Sequence, residues 1–247
     1  MRAGVFDSGV GGITVLKSIL EAGFFDEIIY YGDTARVPYG VKDKNTIIRY
    51  SLETLEFFKN FDVDIIIAAC NTVSAYAINE LKESAWCDVV GVIDPGVASV
   101  INKLESRDAN ILVLGTKATV NSKRYKLGLE QAGYRNITQI ATSLFIPIVE
   151  EGIFQGEVLD SALKFYLEGI QPPEAIILGC THFPLISEEV AGFFPNQPLV
   201  IHSGEAIAEY LEQKGLQRGS AKNSKVKYFA SENPEGLKEV ARKWLRK

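Results

Sequence analysis

The sequence predicts an α/β fold: two pseudo-symmetric α/β lobes with mostly parallel sheets and an active site between them. Three observations carry this prediction. Short apolar runs alternate with amphipathic segments of helical period, the pattern of βα units that build a parallel sheet. Most of these runs are unbroken Val/Ile stretches, as befits strands buried on both faces. The pattern also repeats, because Asp7 precedes Cys70 by almost the same interval as Thr116 precedes Cys180, and each cysteine closes a further apolar run.

In order, the expected strands are "AGVF" (3–6), "EIIYY" (27–31), "DIIIAA" (64–69), "VVGVI" (89–93), "ILVL" (111–114), "AIILG" (175–179), "LVIH" (199–202) and "KVKYFA" (225–230). Ile48, Leu52, Leu55 and Phe58 recur every three or four positions and predict one buried stripe on a helix. "NTVSAYAINEL" after Cys70 reads as a helix with the thiol at its start. "PEGLKEVARKWLRK" (234–247) opens on a proline suited to a helix start and closes on basic residues that complement the dipole. The Pro and Gly of "IDPG" (93–96) break the pattern and set the expected boundary. The first lobe would then be 1–95 plus 207–247, carrying Cys70, and the second 96–206, carrying Cys180.

The chain has 247 residues, enough for two lobes of roughly 120 residues each with real cores. No apolar run approaches the about 20 residues needed to cross a bilayer, and "MRAGVFDSG" lacks a signal-peptide pattern. A cytoplasmic protein with no membrane partner is expected. A net charge of −5 argues against nucleic acid as a partner. The three cysteines, Cys70, Cys87 and Cys180, are too few and too scattered for a disulfide framework and are expected as reduced thiols. With two histidines, His182 and His202, and no Cys-x-x-Cys or His-x-x-x-His spacing, no metal site is expected.

Ligands of parallel sheets gather at the carboxyl ends of strands, where Asp7, Ser8, Cys70, Asn71, Thr72, Cys180, Thr181 and His182 all fall. A single cysteine after an apolar run is ordinarily a small buried hydrophobe. "CNT" and "CTH" are too polar for that, whereas Cys87, in "SAWCDVV", has no polar company and reads as structural. A helix start should lower the Cys70 pKa from its ordinary value of about 8.5. Two thiols on opposed lobes suit one reaction: one removes a weakly acidic proton from a face of a carbon while the other returns a proton to the opposite face. Asp7 is placed to assist Cys70 and His182 to assist Cys180. "SGVGG" and "GTKAT" read as backbone approaching a small anion at helix N-termini. "GDTARVPYG" would bring Tyr39 and Gly40 to a pocket or form a plain surface loop, and "IPIVEEG" presents Glu150 and Glu151 after a short apolar run, as site residues or as a solvated pair. The residues alone leave open a Cys-His hydrolase built on Cys180 and His182, and a non-catalytic amino-acid binding module.

Taken together, "GVFDSGVGG", "YGDTARVPYG", "ACNTVSA", "GVIDPG", "VLGTKAT", "VEEG", "LGCTHFPL" and "HSGEAIA" resemble the glutamate racemases of the aspartate/glutamate racemase superfamily, over residues 4 to 208. The resemblance implies interconversion of L- and D-glutamate by two bases, supplying D-glutamate for bacterial peptidoglycan, with no cofactor, neither pyridoxal phosphate nor metal, and a homodimeric assembly. It implies that Cys70 and Cys180 are the catalytic pair, supported by Asp7, His182 and Glu150. Substrate contacts would fall on Asp7, Ser8, Tyr39, Gly40, Asn71, Thr72, Thr181 and His182, with Thr116 and Thr119 in addition. A racemase for another acidic amino acid is the alternative within the superfamily. The chain departs from the family pattern at Asp94, where Glu is commoner, at Val73, where Ala is commoner, and at Thr142-Ser143, where a Cys-Pro pair is frequent.

Overall fold

Nine strands form two sheets in the computed structural model, which describes residues 1–219 and 223–246. They are β1 (Arg2–Asp7), β2 (Glu27–Gly32), β3 (Ile65–Ala68), β4 (Asp88–Gly91), β5 (Asn110–Gly115), β6 (Asn136–Ala141), β7 (Ala175–Gly179), β8 (Leu199–His202) and β9 (Lys225–Ala230). The first sheet has the order β4-β3-β1-β2-β9 and the second β6-β5-β7-β8, every pairing being parallel. Read from β8, the second sheet runs β8-β7-β5-β6, which is the β4-β3-β1-β2 order of the first. Phe6 lies opposite Ala68 and Gly115 opposite Gly179, so in each sheet the cysteine-bearing strand ends level with its central neighbour. Cys70 and Cys180 therefore emerge at equivalent edges.

The apolar runs behave as their composition requires. β3 and β7 are buried at every position. In β1, Ala3 and Val5 point into one apolar cluster and Phe6 into another, and in β5 Leu112 and Leu114 part in the same way from Ile111 and Val113, following the two-residue alternation of a strand. The largest cluster joins the lobes, since it holds Val5 and Ile28 of the first sheet, Leu112 and Leu178 of the second, and Trp244 near the C-terminus. β9 adds to the open edge of β2, which returns the C-terminal segment to the first sheet. Helix Ser203–Gln213 packs on both helix Ile13–Ala22 and helix Ile93–Lys103.

Several local expectations need correction. β6 has no counterpart among the expected strands: it is an edge strand whose sequence, "NITQIA", is nowhere fully buried and so lacks an apolar run. β9 spans the expected 225–230 and, like β6, is nowhere fully buried. The "VVGVI" strand ends at Gly91, and "IDPG" does not interrupt the chain but forms the first turn of helix Ile93–Lys103. Pro95 is tolerated there because first-turn N–H groups have no intrahelical partner. The stripe on helix Lys44–Phe58 is rotated, with Ile47, Ser51, Thr54, Leu55 and Phe58 buried while Ile48 and Leu52 are half-buried. Ser51 and Thr54 can enter the core because their hydroxyls donate to the Ile47 and Tyr50 carbonyls, at 2.7 and 3.1 Å. The segment after Cys70 makes two short helices, Asn71–Tyr76 and Ile78–Ser84. The terminal helix spans Pro234–Trp244, and Lys247 of the expected stretch lies outside the described residues. Among the described residues no helix is long and apolar enough to cross a membrane.

Candidate active site

The strand ends converge on a cavity of about 300 Å³. From the first sheet's loops come Ser8, Tyr39, Gly40, Cys70, Asn71 and Thr72. From the second come Thr116, Glu150, Cys180, Thr181 and His182. Each cysteine is 5% exposed and directly follows or closely follows a buried strand. Cys70 is the N-cap of helix Asn71–Tyr76, and its Sγ lies 3.3 Å from Ser8 Oγ. Cys180 Sγ lies 3.7 Å from His182 Nδ1, and the opposite ring nitrogen, Nε2, is 2.9 Å from Glu150 Oε1. The two thiols thus face one space from different lobes, one beside a hydroxyl and the other beside an imidazole.

Short approaches between backbone and side chain hold the walls in place. A methyl group on Gly11 would sit 2.2 Å from Thr181 Oγ1 and 2.7 Å from His182 Nδ1, so the turn into helix Ile13–Ala22 can reach Thr181 and His182 only through glycine. A methyl on Gly40 would meet Thr116 Cβ at 2.7 Å. Thr72 and Thr116 share a hydrogen bond of 3.0 Å across the cleft. Thr116 also caps its helix by accepting from Thr119 N at 3.1 Å, which leaves Thr119 behind the cavity wall.

A family model of Asp/Glu/Hydantoin racemases matches residues 16–211. The chain belongs to the Asp/Glu/Hydantoin racemase family. It is 59% identical over 246 residues to a glutamate racemase of a Nitratiruptor species, with 100% of this chain and 97% of that protein covered. It superimposes with a TM-score of 0.97 and 51% identity on the crystal structure of glutamate racemase from Campylobacter jejuni subsp. jejuni, covering 100% of this chain and 98% of that one. It matches the glutamate racemase of Francisella tularensis subsp. tularensis in complex with D-glutamate at a TM-score of 0.87 and 31% identity, over 100% of this chain and 94% of that one.

In this racemase-family site the two cysteines occupy unlike electrostatic settings. Burial, reinforced by the negative charge of Asp7, pushes the Cys70 thiol up to about 12, against the opposing bonds from Ser8 and the Val73 N–H. The expected lowering by the helix start is present only as that Val73 contribution and is outweighed. His182 moves the other way. Burial disfavours its charge, yet bonds to Cys180 and then Glu150 outweigh burial and lift it to about 10. Burial also raises Asp7, moderated by His182 and by N–H groups of Gly9 and Gly12.

The racemase-family cavity gathers every residue expected at it except Asp7 and Thr119, which stand just behind. The Asp7 carboxylate accepts from Gly9 N at 2.9 Å and from Thr181 Oγ1 at 3.5 Å, so it is Ser8 and not Asp7 that touches the Cys70 sulfur. Tyr39 lines the cavity, but its hydroxyl donates away from it to buried Asp33, which also binds Arg36 Nε at 2.6 Å and Ser231 Oγ at 2.8 Å. Of the Glu150–Glu151 pair, Glu150 reaches the cavity and Glu151 is exposed, and Cys87 is half-buried against the first lobe's core, away from the cavity. Sequence reasoning missed Asp33, which sits within the quoted "GDTARVPYG". It also missed Ile146 and Pro147, which form an apolar wall, and Trp244, whose ring meets His182 edge-on at 5.9 Å.

Proposed function

We propose that this protein interconverts L- and D-glutamate by a two-base mechanism in which Cys70 and Cys180 act on opposite faces of the α-carbon. The observation that carries the reading is the pair of buried thiols from two pseudo-symmetric lobes lining one small cavity. Cys70, held as a thiol by burial and by Asp7, is the proton donor of the resting site. Cys180 is the base, because an imidazolium beside a sulfur stabilises negative charge on it, and Glu150 keeps the proton on His182. After one turnover the roles reverse, and reaction from the other enantiomer restores the first arrangement. Asp7 stands between the two sides, its charge raising Cys70 while it accepts from Thr181 and is stabilised by His182.

Hydroxyl, amide and backbone donors of Ser8, Tyr39-Gly40, Asn71-Thr72 and Thr181 hold the two carboxylates of the substrate. Glutamate, rather than a shorter acidic amino acid, is supported by the glutamate racemases that match over the full chain, among them the structure holding D-glutamate. The match to an aspartate racemase of Picrophilus torridus, at 19% identity, shows the fold alone. The chemistry draws on side chains only, and the D-glutamate formed would serve peptidoglycan synthesis in the cytoplasm by a homodimeric enzyme, a state that sedimentation would test.

The test is racemisation by single-cysteine variants. Cys70→Ser and Cys180→Ser should each abolish conversion of either enantiomer, read by optical rotation. Full conversion surviving either change contradicts the paired mechanism and favours a site with one nucleophile. Turnover of aspartate matching that of glutamate would overturn the substrate assignment.

A further inference from the structure

Behind the cavity lies a second set of buried polar side chains that the proton transfers do not use. Tyr125, on helix Arg124–Gln131, is 1% exposed, and Ser203, which opens helix Ser203–Gln213, is 2% exposed. Both bond to the side chain of Asn71, the residue after Cys70. Tyr125 Oη lies 2.7 Å from Asn71 Oδ1, and Asn71 Nδ2 lies 3.2 Å from Ser203 Oγ. Ser203 Oγ lies 3.3 Å from the carbonyl of Leu178, on the strand that leads to Cys180.

The directions of these bonds follow from the Ser203 hydroxyl, which reaches the Leu178 carbonyl and also Tyr125. A carbonyl only accepts, so Ser203 donates to Leu178; a hydroxyl has one proton, so Ser203 must accept from Asn71. The amide therefore turns Nδ2 to Ser203 and Oδ1 to Tyr125, and Tyr125 must donate. Burial raises the phenol above its ordinary value and keeps that proton in place. One Nδ2–H is left over, on a residue that lines the cavity.

We propose that Tyr125 and Ser203 are positioning residues that lock the Asn71 amide with an N–H, rather than its oxygen, available to a substrate carboxylate. The proposal rests on the reading of the cavity as a glutamate site. An amide flip is nearly isosteric, so packing alone does not select between the two orientations; a flipped amide would set its oxygen against a carboxylate, acceptor to acceptor. The two locking groups belong to the second lobe and the amide to the first, so the donor is correctly turned only when the lobes are docked. The Tyr125 ring is itself fixed, with Cε1 and Cε2 lying 3.0 and 3.3 Å from where methyl groups on Gly96 and Gly179 would stand. Phenylalanine can keep that packing while losing the donor.

The experiment is a double-mutant cycle on the full chain. Tyr125→Phe should raise KM for both enantiomers about tenfold, the effect of losing one hydrogen bond to a charged group, with kcat changed far less. Ser203→Ala should do the same. Asn71→Ala should raise KM at least as much, and Tyr125→Phe combined with Asn71→Ala should be no worse than Asn71→Ala alone, because Tyr125 acts only through the amide. D-Glutamate binding by the Cys180→Ser protein, followed by calorimetry, should weaken equally when Tyr125→Phe is added. Unchanged KM in Tyr125→Phe, or additive losses in the double variant, overturns the positioning role while the substrate assignment stands. Wild-type protein that neither binds nor racemises glutamate overturns the substrate assignment and this proposal together.

Discussion

Cys70 shares its surroundings with an acid and Cys180 with a base, and the second of these neighbours sets a measurable pH dependence. His182, lifted to about 10, is protonated across the neutral range. The rate constant kcat/KM should therefore fall as pH rises through about 10, where the imidazolium beside Cys180 is lost. Glu150→Gln removes the carboxylate 2.9 Å from Nε2, so the alkaline fall should move to lower pH. A limb that does not move would show that Glu150 does not hold the proton. The same shift acts on stability. An unfolded histidine titrates near about 6.5, so the contribution of the His182 proton is fully present below that pH and is lost as pH rises through about 10. Urea midpoints should decline over this window, and the decline should flatten in His182→Asn. Both cysteines and His182 were legible in the sequence because polar residues just after apolar strands have few structural explanations, whereas Glu150, at the end of helix Phe145–Glu150, was marked by the residues alone only as one of an acidic pair. The direction of the Cys70 shift was not, since it depends on how deeply two lobes bury a residue that local sequence places at a helix start.

At the scale of elements, the loop that carries Tyr39 and Gly40 is held by one buried carboxylate. Asp33 receives the hydroxyls of Tyr39 and Ser231 and the Nε of Arg36, tying the cavity loop to the turn after β9. Asp33→Ala leaves these donors without their acceptor, and should lower unfolding free energy by about 3 kcal/mol and raise KM through the displaced loop, as read by denaturant titration and initial rates. Destabilisation below about 0.5 kcal/mol, the range of ordinary surface substitutions, would contradict this account of the loop. Gly11→Ala should cut activity sharply, because its methyl must displace Thr181 or His182; wild-type rates would mean that the turn can retreat. Buried strands such as β3 and β7 were legible from composition, because burial on both faces demands unbroken apolar runs. The edge strand β6 was not, because half of its surface faces water and its polar residues mimic a loop. Asp33 stood within a quoted motif, but its partner Ser231 lies far along the chain and meets it only through the β2–β9 pairing.

At the scale of the molecule, the repeated strand order puts the two thiols at matching edges of matching sheets, and the large shared cluster binds those sheets together. The repeat was visible as two nearly equal intervals between a strand end and a cysteine, which is how the two-lobe fold could be predicted at all. The depth of the shared core was not visible, because it arises from residues such as Val5, Leu178 and Trp244 that no local pattern brings together. Because the lobes share that core, urea unfolding followed by tryptophan fluorescence and by far-ultraviolet circular dichroism should give coincident single transitions; separate midpoints would mean that the lobes unfold independently. The two-thiol arrangement is tested most directly by the fate of the α-hydrogen. L-Glutamate incubated with the protein in deuterated water should yield D-glutamate carrying deuterium at Cα, while L-glutamate recovered at early times still carries protium, because the group that removes the proton is not the one that returns it. Deuterium entering recovered L-glutamate as fast as D-glutamate forms would mean that one base serves both faces, and would contradict the pairing of Cys70 with Cys180.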